Sequence, residues 1–327
     1  SEQCSDSALI KLARSRCQAH KPGHKFSIWK KTGSLSLLEM GVNQAVREKP
    51  HIKVGDHDLG ERSISDTAEI VLVNGQYQKD ASYLLGGVEV QASAQVNDDE
   101  AKWQDFLEAM PEGEVPASMA MVLSTSWITV SVSRPVKIKL QQIITSPGAH
   151  ALNLRLVVGD GVSVECTDNI RYLVDGSQCG VFYNRDILLG SEAILKDNFF
   201  NKVNTDLAVM QSQRVVVGRQ ADYQRYHVAT GGQLVRHYHQ VELNGEGGAC
   251  TFSGVCLGAH SQRHDQTILV RHHSSHTVST QSFKNVARHK SLTNFSSRVY
   301  VKSGIKEIDS SQINHNLLVD NSAQALS

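Results

Sequence analysis

Gln233-Leu-Val-Arg-His-Tyr-His-Gln-Val-Glu-Leu243 alternates along its length and closes on the turn Asn244-Gly245-Glu246-Gly247-Gly248. Its neighbours repeat the form. Val215-Val216-Val217, Tyr223-Gln-Arg-Tyr-His-Val228, Thr267-Ile-Leu-Val270, Arg298-Val-Tyr-Val-Lys302 and Asn316-Leu-Leu-Val319 are all short and rich in β-branched, aromatic or other apolar residues. Such segments are too short or too strictly alternating for helices and read as strands. The turns between them, Gly231-Gly232, Ser303-Gly304 and Asp320-Asn321, use residues that tolerate positive φ. No helical period intervenes from Leu207 to Val319, which argues against a parallel sheet with helical crossovers. A sandwich, a barrel or a β-helix remains.

Upstream the period changes. Asp6 or Ser7 is placed to cap a short helix through Leu9, Ile10, Leu12 and Ala13, with Arg14 and Arg16 near its C-terminal end. Phe26, Ile28 and Trp29 form an apolar patch, and a second helix is expected from Leu35 to Val46, before Pro50. Residues 51–66 read as loop. Ile70-Val-Leu-Val73 followed by Asn74-Gly75 is a hairpin signal, and Gly87-Val-Glu-Val90 is a further strand. Asp98-Asp99-Glu100 open a helix whose Trp103, Phe106, Leu107 and Met110 share one face; Pro111 ends it.

From Trp127 onward the period is two. Trp127–Val132, Val136–Leu140, Leu152–Val158 and Val162–Cys166 are the first strands of a loosely repetitive stack. Leu188-Leu189-Gly190, Val228-Ala-Thr-Gly231, Val301-Lys-Ser-Gly304 and Leu318-Val-Asp-Asn321 repeat a strand-end-plus-turn unit at irregular spacing. A β-helix suits this better than a sandwich, because its coils accept insertions of varied length. The expected organisation is a helical and mixed N-terminal region over 1–115 and a mainly β, β-helical core over 116–327. Rows such as Val215, Val217, Leu269, Val299 and Val301 are expected to stack inside it.

The 327 residues carry 33 basic and 33 acidic side chains, a balance that argues against nucleic acid or an acidic membrane surface as partner. Six cysteines without CxxC spacing are expected as reduced thiols. No apolar run approaches a membrane span, no signal-peptide core stands at the start, and Ser1 fits removal of an initiator Met, so a cytoplasmic setting is expected.

The 15 histidines invite a search for metal chemistry. His237 and His239 lie two apart on a strand and share a face; with Glu242 they resemble a cupin metal site, the alternative reading of a metal-dependent enzyme. Alternation on a solvent-facing strand gives the same pattern. His260, His264, His272, His273 and His276 form a second group, read either as ligands or as a polar ridge along stacked coils. Cys250 and Cys256 share a face and read as buried structural thiols. No glycine turn extends into a phosphate cradle. Gln312, Asn314 and Asn316 alternate toward one face and are the candidate partner contact, or else an internal asparagine ladder.

Gly231-Gly-Gln-Leu-Val-Arg236, Leu243-Asn-Gly-Glu-Gly247 and Gly254-Val-Cys-Leu257 are followed in order by further motifs. These are His264-Asp-Gln-Thr267, His272 and His276 with Ser279, Phe283-Lys284, Arg298-Val-Tyr-Val301 and Ser311-Gln-Ile-Asn-His-Asn-Leu-Leu318. Together they resemble the SufB/SufD family of iron–sulfur cluster assembly scaffolds. Val73-Asn-Gly75, Gly87-Val-Glu-Val90 and Trp29-Lys30 extend the resemblance upstream. It is more similar to SufD, since the N-terminal cysteine motif frequent in SufB members is missing. The resemblance implies a right-handed parallel β-helix behind a small helical region. It implies a non-catalytic subunit that pairs with a SufB-like protein and a SufC-like ATPase, or with itself in isolation. A transient iron–sulfur cluster would be the cargo of the assembled complex. A flavin is associated with such complexes, but no flavin motif is visible. The family's Cys-x-His segment and C-terminal helical domain would follow Ser327, so the resemblance carries no cluster ligand onto this sequence and suggests a fragment.

Overall fold

The computed structural model describes residues 7–19, 66–96, 99–174, 179–203 and 207–326. The helix expected over Leu35–Val46, the Phe26–Trp29 patch, Trp29-Lys30 and most of the expected 51–66 loop lie outside them. The described chain is a parallel β-helix of about seven coils with three helices near its N-terminal end.

Its strands are β1 (Thr67–Val73), β2 (Gln76–Tyr77), β3 (Val88–Ser93), β4 (Trp127–Val132), β5 (Val136–Ile144), β6 (Gly148–Val158), β7 (Ser163–Tyr172), β8 (Cys179–Leu189) and β9 (Ile194–Val203). They continue as β10 (Leu207–Val217), β11 (Asp222–Gly231), β12 (Leu234–Leu243), β13 (Ala249–Gly258), β14 (Arg263–His272), β15 (Val278–Ala287), β16 (Leu292–Val301), β17 (Asp309–Leu318) and β18 (Gln324–Leu326). Strands alternate between two sheets. Sheet A runs β17-β15-β13-β11-β9-β7-β5-β1-β2, and sheet B runs β18-β16-β14-β12-β10-β8-β6-β4-β3. Pairing is parallel except at β1–β2 and β3–β4, which cap the start of each sheet.

The expected hairpin forms at β1–β2. Asn74 and Gly75 both take positive φ, +50° and +81°, as a two-residue turn between right-twisted strands requires. At one corner of the solenoid, successive coils turn through left-handed residues at Gly161, Glu192, Gln220, Gly247, His276 and Glu307. From Gly161 to His276 the amide of each donates to the next coil: Glu192 N–H to Arg219 O at 2.7 Å, Gln220 N–H to Glu246 O at 2.9 Å, His276 N–H to Lys306 O at 3.0 Å. This ladder satisfies the turn amides and explains why non-glycine residues accept the strain.

The lumen between the sheets is the core. Val215, Val217, Val241, Leu243, Ile268 and Val270 stack in it. Leu269 does not: the parity that turns Ile268 and Val270 inward sends it outward. Val299 and Val301 continue the lumenal rows but lie on the last long strand of sheet B and are exposed. Gly254 faces Phe283, where an added Cβ would stand 2.2 Å from the ring. Gly254→Ala is therefore expected to cost about 1–3 kcal/mol by overpacking. The urea midpoint reads this, and an unchanged midpoint contradicts the described packing.

Three helices cover the outer face of sheet B: α1 (Ala8–Ala19), α2 (Glu100–Ala109) and α3 (Val115–Leu123). Trp103, Phe106, Leu107 and Met110 are buried as the 3.6-residue spacing predicts, against Leu9, Ala13, Trp127 and Tyr238. Arg16 donates to the Leu107 and Met110 carbonyls at the end of α2, and Glu100 accepts the Leu9 amide at 2.9 Å. α3 is apolar nearly all round and lies between α1 and sheet B. Among the described residues no helix is long and apolar enough to cross a membrane.

Candidate functional site

Parity within the strands decides which polar side chains meet. His237 and His239 on β12 point into the lumen, where both are buried and their rings stack at 5.8 Å. Glu242 stands five residues from His237, an odd spacing, and projects from the opposite face. There it accepts from Gln240 at 2.6 Å and pairs with His273 at 2.5 Å and Arg271 at 3.4 Å. The cupin-like triad does not assemble, and the fold is a β-helix and not a cupin barrel. The second histidine group is dispersed as well. His264 is lumenal, His272 bonds Thr277 and Ser279, and His260 stacks on His289 at 5.2 Å. His276 lies between Glu246 and Glu307 on the surface corner. Among the described residues no three of His, Cys, Asp and Glu stand in metal-binding geometry.

Cys250 and Cys256 do share the lumenal face of β13, both buried. Burial pushes the Cys256 thiol up to about 12 and the Cys250 thiol higher still, so neither is a ready nucleophile.

The side chains that sequence reasoning missed lie one coil earlier. Asp197 on β9 is fully buried and is gripped by Arg185 from β8 at 2.9 Å and by Arg225 from β11 at 2.5 Å. Tyr223 donates to it at 2.8 Å, and Gln213 donates to that Tyr223 hydroxyl at 2.6 Å. Burial alone would raise the pKa of Asp197; the two guanidinium groups outweigh it and hold the carboxyl below the ordinary range. Asp168, 4.0 Å from Arg185 Nε, goes the other way: burial dominates and raises it. The Arg225 guanidinium lies 4.9 Å over the Phe199 ring, whose edge-on neighbours are His227 and His237. The signal was charge at lumenal parity in strands that otherwise bury apolar residues.

A second polar row binds the helical layer to sheet B. Arg155, Asp186, Arg214 and Gln240 are register partners across β6, β8, β10 and β12. Asp186 pairs with Arg155 at 3.0 Å and with Arg214 at 2.8 Å; Arg214 reaches Asp105 of α2, also at 2.8 Å. Glu114, which precedes α3, takes Arg236 in a two-point grip at 2.6 and 2.7 Å and accepts from Ser212. These contacts tie the helical layer to sheet B.

Gln312, Asn314 and Asn316 lie on β17, the outermost strand of sheet A, in register with Gln281, Phe283 and Asn285. They therefore carry the lumenal face to its last coil. Asn285 Nδ2 donates to Asn314 Oδ1 at 3.0 Å and to Asn316 Oδ1 at 2.9 Å. The ladder and the candidate contact row are thus the same residues. Around them Ile313, Leu317, Leu318 and Val319 are exposed.

The model of the SufBD core domain, described as SUF system FeS cluster assembly, matches residues 144–327, more than half of the chain. No curated protein matches it.

Proposed function

The chain belongs to the SufB/SufD family of the SUF iron–sulfur cluster assembly system, and from that premise we propose that it is a SufD-like, non-catalytic scaffold subunit. In this reading it pairs with a SufB-like subunit and works with a SufC-like ATPase, and the nascent cluster is cargo of the complex. The observation that carries the reading is the match of residues 144–327 to the SufBD core domain, which coincides with the coils of the parallel β-helix from β6 onward. Gln312, Asn314 and Asn316, which alternate along β17, are the contact residues in this reading, with Ile313 among them. A stiff parallel β-helix suits a partner that must hold ligands in fixed register.

Co-expression with the SufB-like and SufC-like proteins of the same source tests this reading. A stoichiometric complex is expected, and Ile313→Lys with Asn316→Lys is expected to weaken it at least about tenfold, the scale on which a few central contacts dominate an interface. A chain that elutes alone while the other two pair without it would sink the proposal.

A further inference from the structure

We propose that His227, His237, His239 and His264 form a proton-operated release for the C-terminal coils: neutral, they pack the lumen; protonated, they loosen β13–β17 from the helix-clamped part of the molecule.

The placement supports this first. The four imidazoles come from β11, β12 and β14 and are all buried. The His227 ring lies 4.5 Å from His237 and 6.5 Å from His239. A cavity of about 10 Å³, room for one water, lies among His227, His237, Cys256 and His264 and gives a proton a foothold. His227 Nε2, His237 Nε2 and both ring nitrogens of His239 and His264 have no hydrogen-bond partner.

The surrounding charges give an imidazolium nothing to lean on. Of the cations that face the cluster, Arg225 is on β11 and Arg185 on β8. Asp197 on β9 is already held by both, and Asp168 on β7 stands beside Arg185. Asp265 borders the cavity but projects from the other face of β14, held by Arg236 and Asn294. Tyr183 and Tyr223 stay neutral by burial, as do Cys250 and Cys256. β10 and β15 contribute Gln211, Gln213, Gln281 and Asn285, which do not titrate. His272 on β14 is occupied by Thr277 and Ser279.

Burial, with Arg225 in second place at His227, keeps His227, His237 and His239 far below the ordinary imidazole range, and burial takes His264 to about 4. The sign follows. An opened coil takes up protons below about pH 6.5 and the closed one does not, so closure weakens as pH falls from 6.5 toward 4. The location makes the effect selective. Hydrogen bonds from the helical layer reach sheet B as far as Arg236 and Gln240 on β12, whereas β13–β17 join through coil-to-coil pairing and the lumen.

Hydrogen–deuterium exchange of the whole chain at pH 7.5 and 5.5, corrected for the intrinsic rate, tests it. Each imidazole freed on opening shifts the equilibrium by about tenfold at pH 5.5. Amides of β13–β17 are thus expected to exchange about 100-fold or more faster at pH 5.5, while β4–β8 keep their protection. The His227→Gln/His264→Gln variant, which extends the lumenal glutamines, should lose about 100-fold of that pH dependence. Equal acceleration in β4–β8, or an unchanged pH dependence in the variant, overturns the proposal. Should the variant not fold, ring-proton NMR of the unmodified chain decides: four imidazoles still neutral at pH 5.5 support the release, and ordinary titration near 6.5 without opening overturns it.

Discussion

Asp197→Ala is expected to cost at least about 3–5 kcal/mol, the usual penalty when one partner of a buried ion pair is removed. Asp197 is fully buried and is the counter-ion of two guanidinium groups that are themselves fully buried. Without it the one carboxylate left near Arg185 is the weakly placed Asp168, beside the neutral Gln213, and Arg225 is left with the neutral Gln211, Gln213 and Phe199 ring. A loss of that size is a large share of the 5–15 kcal/mol by which domains are stable, so the variant is expected largely unfolded at 37 °C. Replacing Arg185, Asp197 and Arg225 together by apolar residues of similar volume should recover much of the loss, because the desolvation cost disappears with the charges. Urea denaturation followed by circular dichroism measures all three proteins. A single variant as stable as the parent contradicts the described network.

Trp103→Ala carries the second large effect, about 3–5 kcal/mol for truncation of a buried tryptophan. The ring is fully buried and makes edge contacts with Phe106 at 5.4 Å and Trp127 at 5.5 Å. Trp127 begins β4, the first sheet B strand of the solenoid proper, so Trp103 is the pin between helical layer and sheet. Its removal should loosen α1 and α2 before the coils. Limited proteolysis is expected to cut near α2 first, leaving a fragment that begins near β4. Simultaneous loss of helices and coils would show that the layer is not separable from the sheet.

Much of this architecture was legible from period alone. α2 announced itself because four large apolar residues recur on one face. The Asn74-Gly75 hairpin announced itself because only residues tolerant of positive φ close it. α3 did not, since Val115–Leu123 is apolar nearly all round and shows no contrast between faces. β9 did not, because Lys196, Asp197 and Asn198 make its sequence look like a loop; Asp197 is lumenal because two arginines from other coils meet it there. His237, His239 and Glu242 do not converge for a reason of parity. Side chains five apart on a strand face opposite ways, so His237 and Glu242 were never on one side. Gln312, Asn314 and Asn316 share one face, as their spacing indicates, but that this face is lumenal follows from register with Asn285, which no local pattern encodes.

In the proposed reading the chain is a working part of iron–sulfur cluster assembly, which its family membership supports. Removing its gene from the source cell, under conditions that demand this pathway, and measuring the cluster content of a purified iron–sulfur enzyme tests it most directly. A several-fold fall, restored by reintroducing the gene, is expected. Unchanged cluster content without the gene would contradict it.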